Sequence, residues 1–466
     1  MESGGNLGLP SRREEVMNCR ITGYCLLVFL IACGAASAQS FSGDARKIGM
    51  GGIGYSENIT AKMIEDEREY SSIVVPLGLI QLLQDRDHFD PDNDSFDPIL
   101  GMEYAANPIH YVFGRDPGGT RGRFVSDLVN GEFNRDRRDL NDYRGFVPTN
   151  HLLSEGLANP NWGKTFKLHR HPDGSFQGFY VGVGPYLSAK TVLNIDKGLT
   201  DILGSSTLVY TPNADFSITD QTIGQLALAI TGGYRGRFAL PGLKGTRDGI
   251  HIGMNYHYLK GFRYENPDIT VRFNMDSDGL LILNPTVSPI VINYHNSRSG
   301  SGFALDFGIG AVVDHWEFGF GANGVGNRIS WDDLTLKQFR MQSLFEGGDF
   351  IEERLPVASS SLRVELPVEY IGNVGYHERN WSAIAEVSRG FQGTNFHGGV
   401  EFRLGPIEFR GGARYGLERW HPSGGIGFNL GRRFSIDVAA FGTTTNIERE
   451  LRPGVAVSLR FNHPKT

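Results

Sequence analysis

The chain has 466 residues and a formal net charge of −7, from 45 Lys and Arg against 52 Asp and Glu. A slightly acidic balance without basic clusters excludes a nucleic-acid-binding surface, so no nucleic-acid partner is expected. Glycine, with 62 residues, is nearly twice its usual frequency of about 7%, and 30 Phe and 17 Tyr add many aromatic side chains.

The N-terminal stretch has the pattern of a secretory signal. Residues 24–38 read YCLLVFLIACGAASA, and the small-residue exit predicts a signal peptide over 1–38, cleaved before Gln39. Lipidation at Cys33 and a retained anchor stay open as alternatives. All the cysteines lie in this stretch, so the mature chain needs no disulfides. No later segment offers about 20 continuous apolar residues, so a membrane would have to be crossed by strands.

The segment that follows, residues 45–52, reads ARKIGMGG, and its glycines allow a tight path. Directly after a signal peptide, this pattern resembles the start of outer-membrane barrels of the long-chain fatty-acid transporter (FadL-like) type and of type IX secretion barrel subunits. The nearest match to that group's Asn-Pro-Ala triplet is 107–109, which reads Asn-Pro-Ile. The resemblance implies a hatch folded inside a barrel lumen, with the motif residues Arg46, Gly49, Met50, Gly51 and Gly52.

Two stretches of the N-terminal third are less regular. Residues 70–83 are apolar on both faces and contain Pro76, which suits either a first barrel strand with an irregularity or a buried hatch segment. Residues 115–175 are rich in Arg, Asp, Asn and Gly with little periodicity. They are expected to be loops or segments that fill the lumen.

An acidic run lies between these stretches. Asp90, Asp92 and Asp94 match the first three alternating ligands of a calcium loop. Ser95 stands where that loop requires glycine, and Gly101 where it requires glutamate. We therefore expect a solvated acidic loop, with calcium binding as the weaker alternative.

From residue 176 the apolar and polar residues alternate over spans of about ten, as tilted membrane strands require. One set of positions is expected to face outward: Phe179, Val181, Val183, Leu187, Ala189, Thr191, Leu226, Leu228, Ile230, Tyr234, Phe238, Ile250, Ile252, Met254, Tyr256 and Tyr258. The other set is expected to face inward: Tyr180, Gly182, Gly184, Tyr186, Ser188, Lys190, Gln225, Ala227, Thr231, Arg235, Arg237, His251, Gly253, Asn255 and His257.

The clearest hairpin spans residues 299–331. Phe303 to Val313 and Trp316 to Ala322 place an aromatic, apolar row on one face and glycine with isolated charges on the other, around a tight reversal at 314–315. Residues 266–298, interrupted by prolines, and 332–360 are expected to be long extracellular loops. The last hundred residues return to a meander that ends at Phe461, an aromatic of the kind found in barrel insertion signals.

These patterns predict an all-β, antiparallel transmembrane β-barrel of about 14 strands, with an N-terminal hatch inside the lumen. The expected organisation is a signal peptide at 1–38, hatch and irregular segments at 39–170, and the main barrel meander at 171–466. We expect the protein in the bacterial outer membrane, in contact with lipid and delivered there by the outer-membrane insertion machinery. A soluble or lipidated β-rich protein, with the aromatic rows as its core, remains the alternative.

The expected inward positions carry a set of charged residues. Arg and carboxylate alternate on neighbouring strands, so that cross-strand pairs would neutralise one another. The set is Asp306, Glu317, Glu386, Glu401, Arg403, Glu408, Arg410, Arg414, Asp437 and Arg460. It is expected to be a structural network that fills the lumen, or alternatively a polar pathway or docking surface for the hatch.

Candidates for catalysis and metal binding are weak. His251, His257 and Ser388 are expected to face inward, but no nucleophile motif surrounds any serine, so no catalytic residue and no cofactor are expected. Residues 169–173, which carry two histidines and an aspartate, fit a turn better than a metal site.

Two functions remain in view. The first is passive uptake or export of a hydrophobic or amphipathic small molecule through the barrel. The second is a structural or secretion-associated barrel that binds a partner protein and carries no solute, with residues 266–298 and 332–360 as contact loops.

Overall fold

The computed structural model describes residues 44–52, 59–66, 70–89, 100, 103–104, 107, 109–115, 119–129, 143, 146–159, 162–204, 213–243, 247–275, 277, 281–283, 288, 290–341, 350–357, 359–391, 393–431, 433–444 and 446–462. The expected signal peptide, the alternative lipidation at Cys33 and the weak calcium candidate at Asp90, Asp92 and Asp94 lie outside these residues.

Most of the described chain is strand. The strands are β1 (Tyr70–Val75), β2 (Tyr111–Val112), β3 (His151–Ala158), β4 (Trp162–Arg170), β5 (Phe176–Ile195), β6 (Asp215–Phe238), β7 (Gly249–Met275), β8 (Leu281–Leu283), β9 (Ile290–Ser297), β10 (Ser299–Val313), β11 (Trp316–Asp332), β12 (Thr335–Met341), β13 (Phe350–Leu355), β14 (Leu362–Glu365), β15 (Glu369–His377), β16 (Trp381–Gly390), β17 (Gly393–Leu404), β18 (Ile407–Gly416), β19 (Arg419–Leu430), β20 (Phe434–Thr443) and β21 (Arg452–Asn462).

The helices are short and lie mainly in the N-terminal third. They are α1 (Ala45–Gly49), α2 (Ile59–Asp66), α3 (Leu77–Gln84), α4 (Thr120–Val129) and α5 (Lys197–Gly204), with a 3₁₀ turn at Arg86–Phe89. Within the described residues, none of these helices is long and apolar enough to cross a membrane.

The strands form one antiparallel sheet of 21 strands, so the expected count of about 14 is wrong. The excess arises because several lines of the sheet contain two or three strands in series, separated by short breaks or, between β1 and β2, by a stretch that includes α3. From one edge to the other the row runs β1 with β2, β21, β20, β19, β18, β17, β16, β15 with β13 and β14, β11 with β12, β10 with β8 and β9, β7, β6, β5, and β4 with β3. In the described part of the chain, no ladder is recorded between the two edge lines.

The two ends of the sheet differ in their connections. At one end, the short-turn end, strands are joined by 171–175, 239–248, 314–315, 378–380, 405–406 and 431–433. The predicted hairpin is confirmed there, since Val313 pairs with Trp316 and Asp314 adopts a φ of 54° in the turn. The other end, the long-connection end, includes 196–214 and 444–451, together with the two-residue turns 391–392 and 417–418.

The alternation of faces agrees with the sequence over most of the sheet. Phe179, Val181, Ile230, Phe307, Ile309, Phe318, Phe320, Phe402 and Leu430 are among the exposed large apolar side chains on one face. Gln225, Thr231, His257, Glu401, Arg410 and Asp437 are among the polar residues buried on the opposite face. An exposed apolar face with a buried polar face is the reverse of a soluble sandwich.

The C-terminal half of β5 departs from the expected alternation of outward and inward side chains. Ala189 and Thr191, expected to face outward into lipid, are buried, and Lys190, expected to face inward, is exposed. The reason is that β5, β6 and β7 continue beyond the length of about 9–11 residues that a membrane strand needs: β6 has 24 residues and β7 has 27.

The extra length of these strands builds a separate apolar core at the long-connection end. Phe216 of β6 and Phe273 of β7 pack there with Leu199 of α5 and Phe124 of α4, and Ile447 from the β20–β21 connection joins them. Residues 266–298 and 332–360 were expected to be loops, but their described parts form β8, β9, β12, β13 and the end of β7. Residues 115–175 likewise contain α4, β3 and β4.

The N-terminal helices lie against the polar face of the sheet. α1 contacts β18, β19, β20 and β21, whereas α2 contacts β7, β10 and β11. The apolar run at 70–83 contains both a strand and a helix: β1 pairs with β21 and ends at Val75, because Pro76 cannot continue the ladder, and α3 follows.

Candidate functional site

The predicted hatch motif forms a short helix and a tight turn. Asp44 caps α1 by accepting a hydrogen bond from the Arg46 amide at 2.9 Å. After Met50 the chain reverses through Gly51 and Gly52, whose φ angles of 83° and 75° lie in the left-handed region that favours glycine. The glycines of the motif therefore end the helix.

Glycines of the sheet let this turn lie directly on the strands. A Cβ atom built on Gly399 of β17 would lie 2.2 Å from the Met50 carbonyl oxygen, and one on Gly412 of β18 would lie 2.3 Å from the Gly51 nitrogen. Any larger side chain at these two positions would displace the turn. The many inward glycines of these strands thus have a role that alternation alone did not suggest.

Hydrogen bonds attach both ends of the segment to the sheet. The Ala45 amide donates to Ser458 Oγ at 3.2 Å, and Ser458 in turn donates to Asp44 at 3.2 Å. At the turn, the Gly51 amide donates to Ser423 Oγ at 3.0 Å, and His397 Nδ1 donates to the Gly51 carbonyl at 2.9 Å. The segment is therefore bound to β17, β19 and β21.

One ion pair joins the helix to the charged residues of the sheet. Arg46 Nε lies 2.7 Å from Glu401 Oε2, and its second guanidinium nitrogen lies 2.9 Å from Oε1. This paired geometry is the strongest form of an arginine–carboxylate contact. Glu401 is completely buried, so Arg46 neutralises a charge that has no access to water.

Behind this pair lies a connected network of charges. Arg410 contacts Glu401 at 2.8 Å and Asp437 at 2.7 Å, and Arg460 contacts Glu408 at 2.6 Å. Arg410 also binds Glu408, and Arg403 binds Glu401. With Arg46, four guanidinium groups face three carboxylates. The predicted pairing of Arg and Glu across β17 and β18 is present, since Glu401 is directly opposite Arg410 in the register.

Other members of the predicted network lie apart from this cluster. Asp306 accepts from the Gly324 amide at 3.0 Å and lies 2.6 Å from His257 Nε2, whose other ring nitrogen is 2.8 Å from Thr231 Oγ1. Glu317 pairs with His377 at 3.2 Å. Glu386 is buried opposite His397, and Arg414 is half-buried opposite the same histidine on the other side. The ten residues thus form several groups.

A further buried ion cluster was missed by the sequence. Glu103 is almost fully buried against Arg121 and Arg452, and Glu448 contacts the same two arginines. Burial raises the pKa of Glu103, although both arginines act in the opposite direction. The cluster fastens Glu103 and Arg121 to the β20–β21 connection and to the start of β21. Its members lie far apart in sequence, and no motif marks them.

The residues proposed as weak chemical candidates have ordinary structural surroundings. Residues 171–175 form the turn between β4 and β5: the His171 amide donates to the Ser175 carbonyl, and the Ser175 amide donates to Asp173. Among the described residues, no group of three or more His, Cys, Asp or Glu is placed to hold a metal ion.

No family model matches the sequence, and no curated protein matches it either. Among solved structures, the chain is similar to the Ralstonia pickettii toluene transporter TbuX, with 13% identity, 69% of this chain and 92% of that chain covered, and a TM-score of 0.29. It is similar to the Pseudomonas putida toluene transporter TodX at 11% identity, covering 68% and 90%, with a TM-score of 0.30. A third is outer membrane phospholipase A from Escherichia coli, at 9% identity, covering 51% and 79%, with a TM-score of 0.22.

These structures include hydrocarbon channels of the FadL family, the group that the N-terminal motif resembles. The identities and TM-scores are low enough that the likeness carries no argument about the substrate or activity of this chain.

Proposed function

We propose that this chain is a bacterial outer-membrane β-barrel that passes a hydrophobic or amphipathic small molecule passively, with residues 45–52 as a hatch in its lumen. The membrane placement is supported by the exposed apolar face. Trp316, Phe318, Tyr376 and Trp381 lie near its short-turn end, with Trp316 and Tyr376 in ring contact at 4.9 Å. Aromatic girdles of this kind lie at the membrane–water interface of barrels.

Closure of the sheet follows from the same placement. In hydrocarbon an open sheet edge leaves backbone groups unpaired at a cost of several kcal/mol each. The edge strands β1 and β4 run in opposite directions, because neighbouring lines of the row are antiparallel throughout and the row has an even number of lines. An antiparallel β1–β4 ladder would therefore close the row into a barrel whose inner face is the polar one.

The observation that carries the proposal is the ion pair between Arg46 and Glu401. A short N-terminal segment is attached to the inner face by this pair and a few hydrogen bonds, whereas the strands around it are held by continuous ladders. A segment held in this way can be released without unfolding the sheet. It therefore has the properties of a hatch.

The polar face also carries a small buried apolar cluster. Ile59 and Met63 of α2 pack with Phe176 of β5, on the same face as the charged network but at other strands. A hydrophobic solute that buries apolar surface against the protein would gain about 25 cal/mol per Å². Because the proposed passage is passive, the concentration gradient of the solute would set the direction.

The test is uptake of N-phenyl-1-naphthylamine, a hydrophobic fluorescent probe, by liposomes that contain purified protein. Arg46→Gln should increase the uptake rate severalfold, because it releases the hatch. Arg403→Gln is the matched control, since it also removes a guanidinium from Glu401 but lies on β17 and leaves the hatch attached. Uptake no faster than in protein-free liposomes, for both folded variants and the wild type, would refute transport.

The alternative, a structural or secretion-associated barrel that binds a partner protein, is favoured by the extension of β5 to β9 with its own core. This core projects beyond the membrane length of the strands and would offer a rigid contact surface. If Arg46→Gln passes no probe, this second function becomes the better explanation. A crosslinking search from residues of β12 and β13 in intact cells would then identify the partner.

A further inference from the structure

A groove of about 940 Å³ lies on the outward, apolar face of the sheet, and strands that line it also contact residues 45–52 on their opposite face. Its walls are large exposed side chains, namely Ile309, Phe318, Phe320, Val387, Phe396 and Trp420. Its volume is in the range of about 300–1,000 Å³ that ligand sites usually occupy.

The floor of the groove is open because small residues stand there among large ones. Ala385 of β16 is directly opposite Gly398 of β17, which is in turn opposite Ala413 of β18. A Cβ atom built on Gly398 would meet nothing within 4 Å. The recess therefore has room for flexible hydrocarbon chains, which would bury apolar area against the aromatic walls.

An arginine lies on the same face, beside the end of the groove that is nearer the long-connection end. Arg389 of β16 lies two residues beyond Val387, toward the long-connection end, and is exposed. Its register partner on β15 is Tyr370, which is half exposed and offers a hydroxyl. Lys260 and Arg328 are further cations toward the same end of the outward face, and Arg328 lies over the Phe303 ring at 4.4 Å.

The positive charge of Arg389 and the apolar groove together indicate the kind of ligand that would bind. An arginine fork with a neighbouring hydroxyl binds phosphate well, and the apolar recess below it suits acyl chains. In barrels the longer connections face the cell exterior, so this end meets the outer leaflet. We propose that the groove binds a phosphate-bearing glycolipid of the outer leaflet, with its chains in the recess and a phosphate on Arg389. The site rests on the membrane placement proposed above, but not on transport.

The test measures binding of bis-phosphorylated lipid A to the purified, delipidated protein in detergent by native mass spectrometry. Gly398→Leu fills the floor of the groove, and Arg389→Gln removes the cation. Gly232→Leu is the control for the first, because Gly232 is also open at its Cβ position and does not line the groove. Arg170→Gln, at the exposed short-turn end, is the control for the second.

We expect one lipid bound to the wild type and to both controls, with affinity at least tenfold weaker in Gly398→Leu. Arg389→Gln should bind lipid A and its dephosphorylated analogue equally, whereas the wild type should prefer the phosphorylated form about tenfold, less so at high salt. Equal binding by Gly398→Leu and Gly232→Leu, or no phosphate preference in the wild type, would overturn the proposal. Gel mobility before and after boiling checks that each variant is folded.

Failure of this proposal and failure of the proposed function give different results. If the chain is not a membrane barrel, no form of it will insert into liposomes. If it is a barrel that transports but lacks the lipid site, Arg46→Gln will still change probe uptake while lipid A binding is unaffected by Gly398→Leu.

Discussion

Gly49 of α1 lies so close to Gly425 of β19 that a Cβ atom on Gly49 would be 3.2 Å from the Gly425 Cα atom. Backbone thus meets backbone across the inner face, and no side chain separates the helix from the wall. Close packing of this kind places the Arg46 guanidinium beside Glu401, with no water-filled gap between them. The position of α1 on the sheet and the neutralisation of Glu401 by Arg46 therefore depend on each other.

The first prediction concerns this close approach. In Gly399→Ala the new Cβ atom would lie 2.2 Å from the Met50 carbonyl oxygen, which is too close for the two atoms. Neither the methyl group nor the carbonyl can move away without a shift of the backbone. We expect the hatch to move off the wall and the amides of residues 45–51 to exchange hydrogen at least tenfold faster by mass spectrometry.

Gly398→Ala is the matched control for this change, because it is one residue away on the opposite face and its Cβ position is open. Its exchange should equal that of the wild type. Unchanged exchange in Gly399→Ala would show that the wall glycines do not set the hatch position.

The second prediction tests the buried network. Glu401→Gln removes a carboxylate that contacts Arg46, Arg403 and Arg410. The three guanidinium groups then have less negative charge nearby to balance their positive charge. Breaking a buried pair from one side costs about 3–5 kcal/mol. The urea midpoint of unfolding, followed by gel mobility, should fall accordingly.

An exposed ion pair provides the comparison. Glu365 contacts Arg363 at 2.6 Å, but both side chains are more than half exposed. Glu365→Gln should therefore change the free energy of unfolding by no more than about 1 kcal/mol. Similar losses for both variants would contradict the argument that burial makes the network important.

Much of the sheet could be predicted from the sequence because side chains of a strand alternate with a period of two. Phe318 and Glu317 were assigned to opposite faces on this basis, and the structure agrees. The number of strands could not be obtained in the same way. Short breaks, such as Arg298 between β9 and β10 and residues 333–334 between β11 and β12, divide one line of the sheet into two strands, and alternation alone does not locate them.

The candidate site was predictable only in part, for a related reason. Alternation indicates that Glu401 and Arg410 face inward, but which charges meet depends on register and on segments remote in sequence. Arg46 and Glu401 are separated by 355 residues, and no local pattern connects them. Glu103 was missed altogether, because no periodic pattern in the sequence around it assigns a face.

The third prediction concerns a buried aromatic hydrogen bond between β11 and β6. Trp331 is completely buried and donates from Nε1 to Gln225 Oε1 at 2.8 Å, while Gln225 donates to Ser188 at 2.9 Å. Trp331→Phe leaves the amide oxygen without that donor and should reduce the free energy of unfolding by about 1–3 kcal/mol, with a further loss from the smaller ring. Trp316→Phe, at an exposed position, should have little effect in the same urea titration.

The last prediction is a pH dependence at His110. This side chain is completely buried beside the Phe441 ring, and burial lowers the pKa of His110 from 6.5 to about 4. Between these two values the unfolded segment binds a proton that the folded one does not, so stability falls as the pH decreases from 6.5 toward 4. The loss approaches about 3 kcal/mol at the lower limit, at about 1.4 kcal/mol per unit. Hydrogen exchange at residues 109–115 should therefore accelerate, beyond the intrinsic effect of pH, between pH 7.5 and pH 5. His110→Gln cannot take up the proton and should lack this acceleration; if it shows the same pH dependence, another group is responsible.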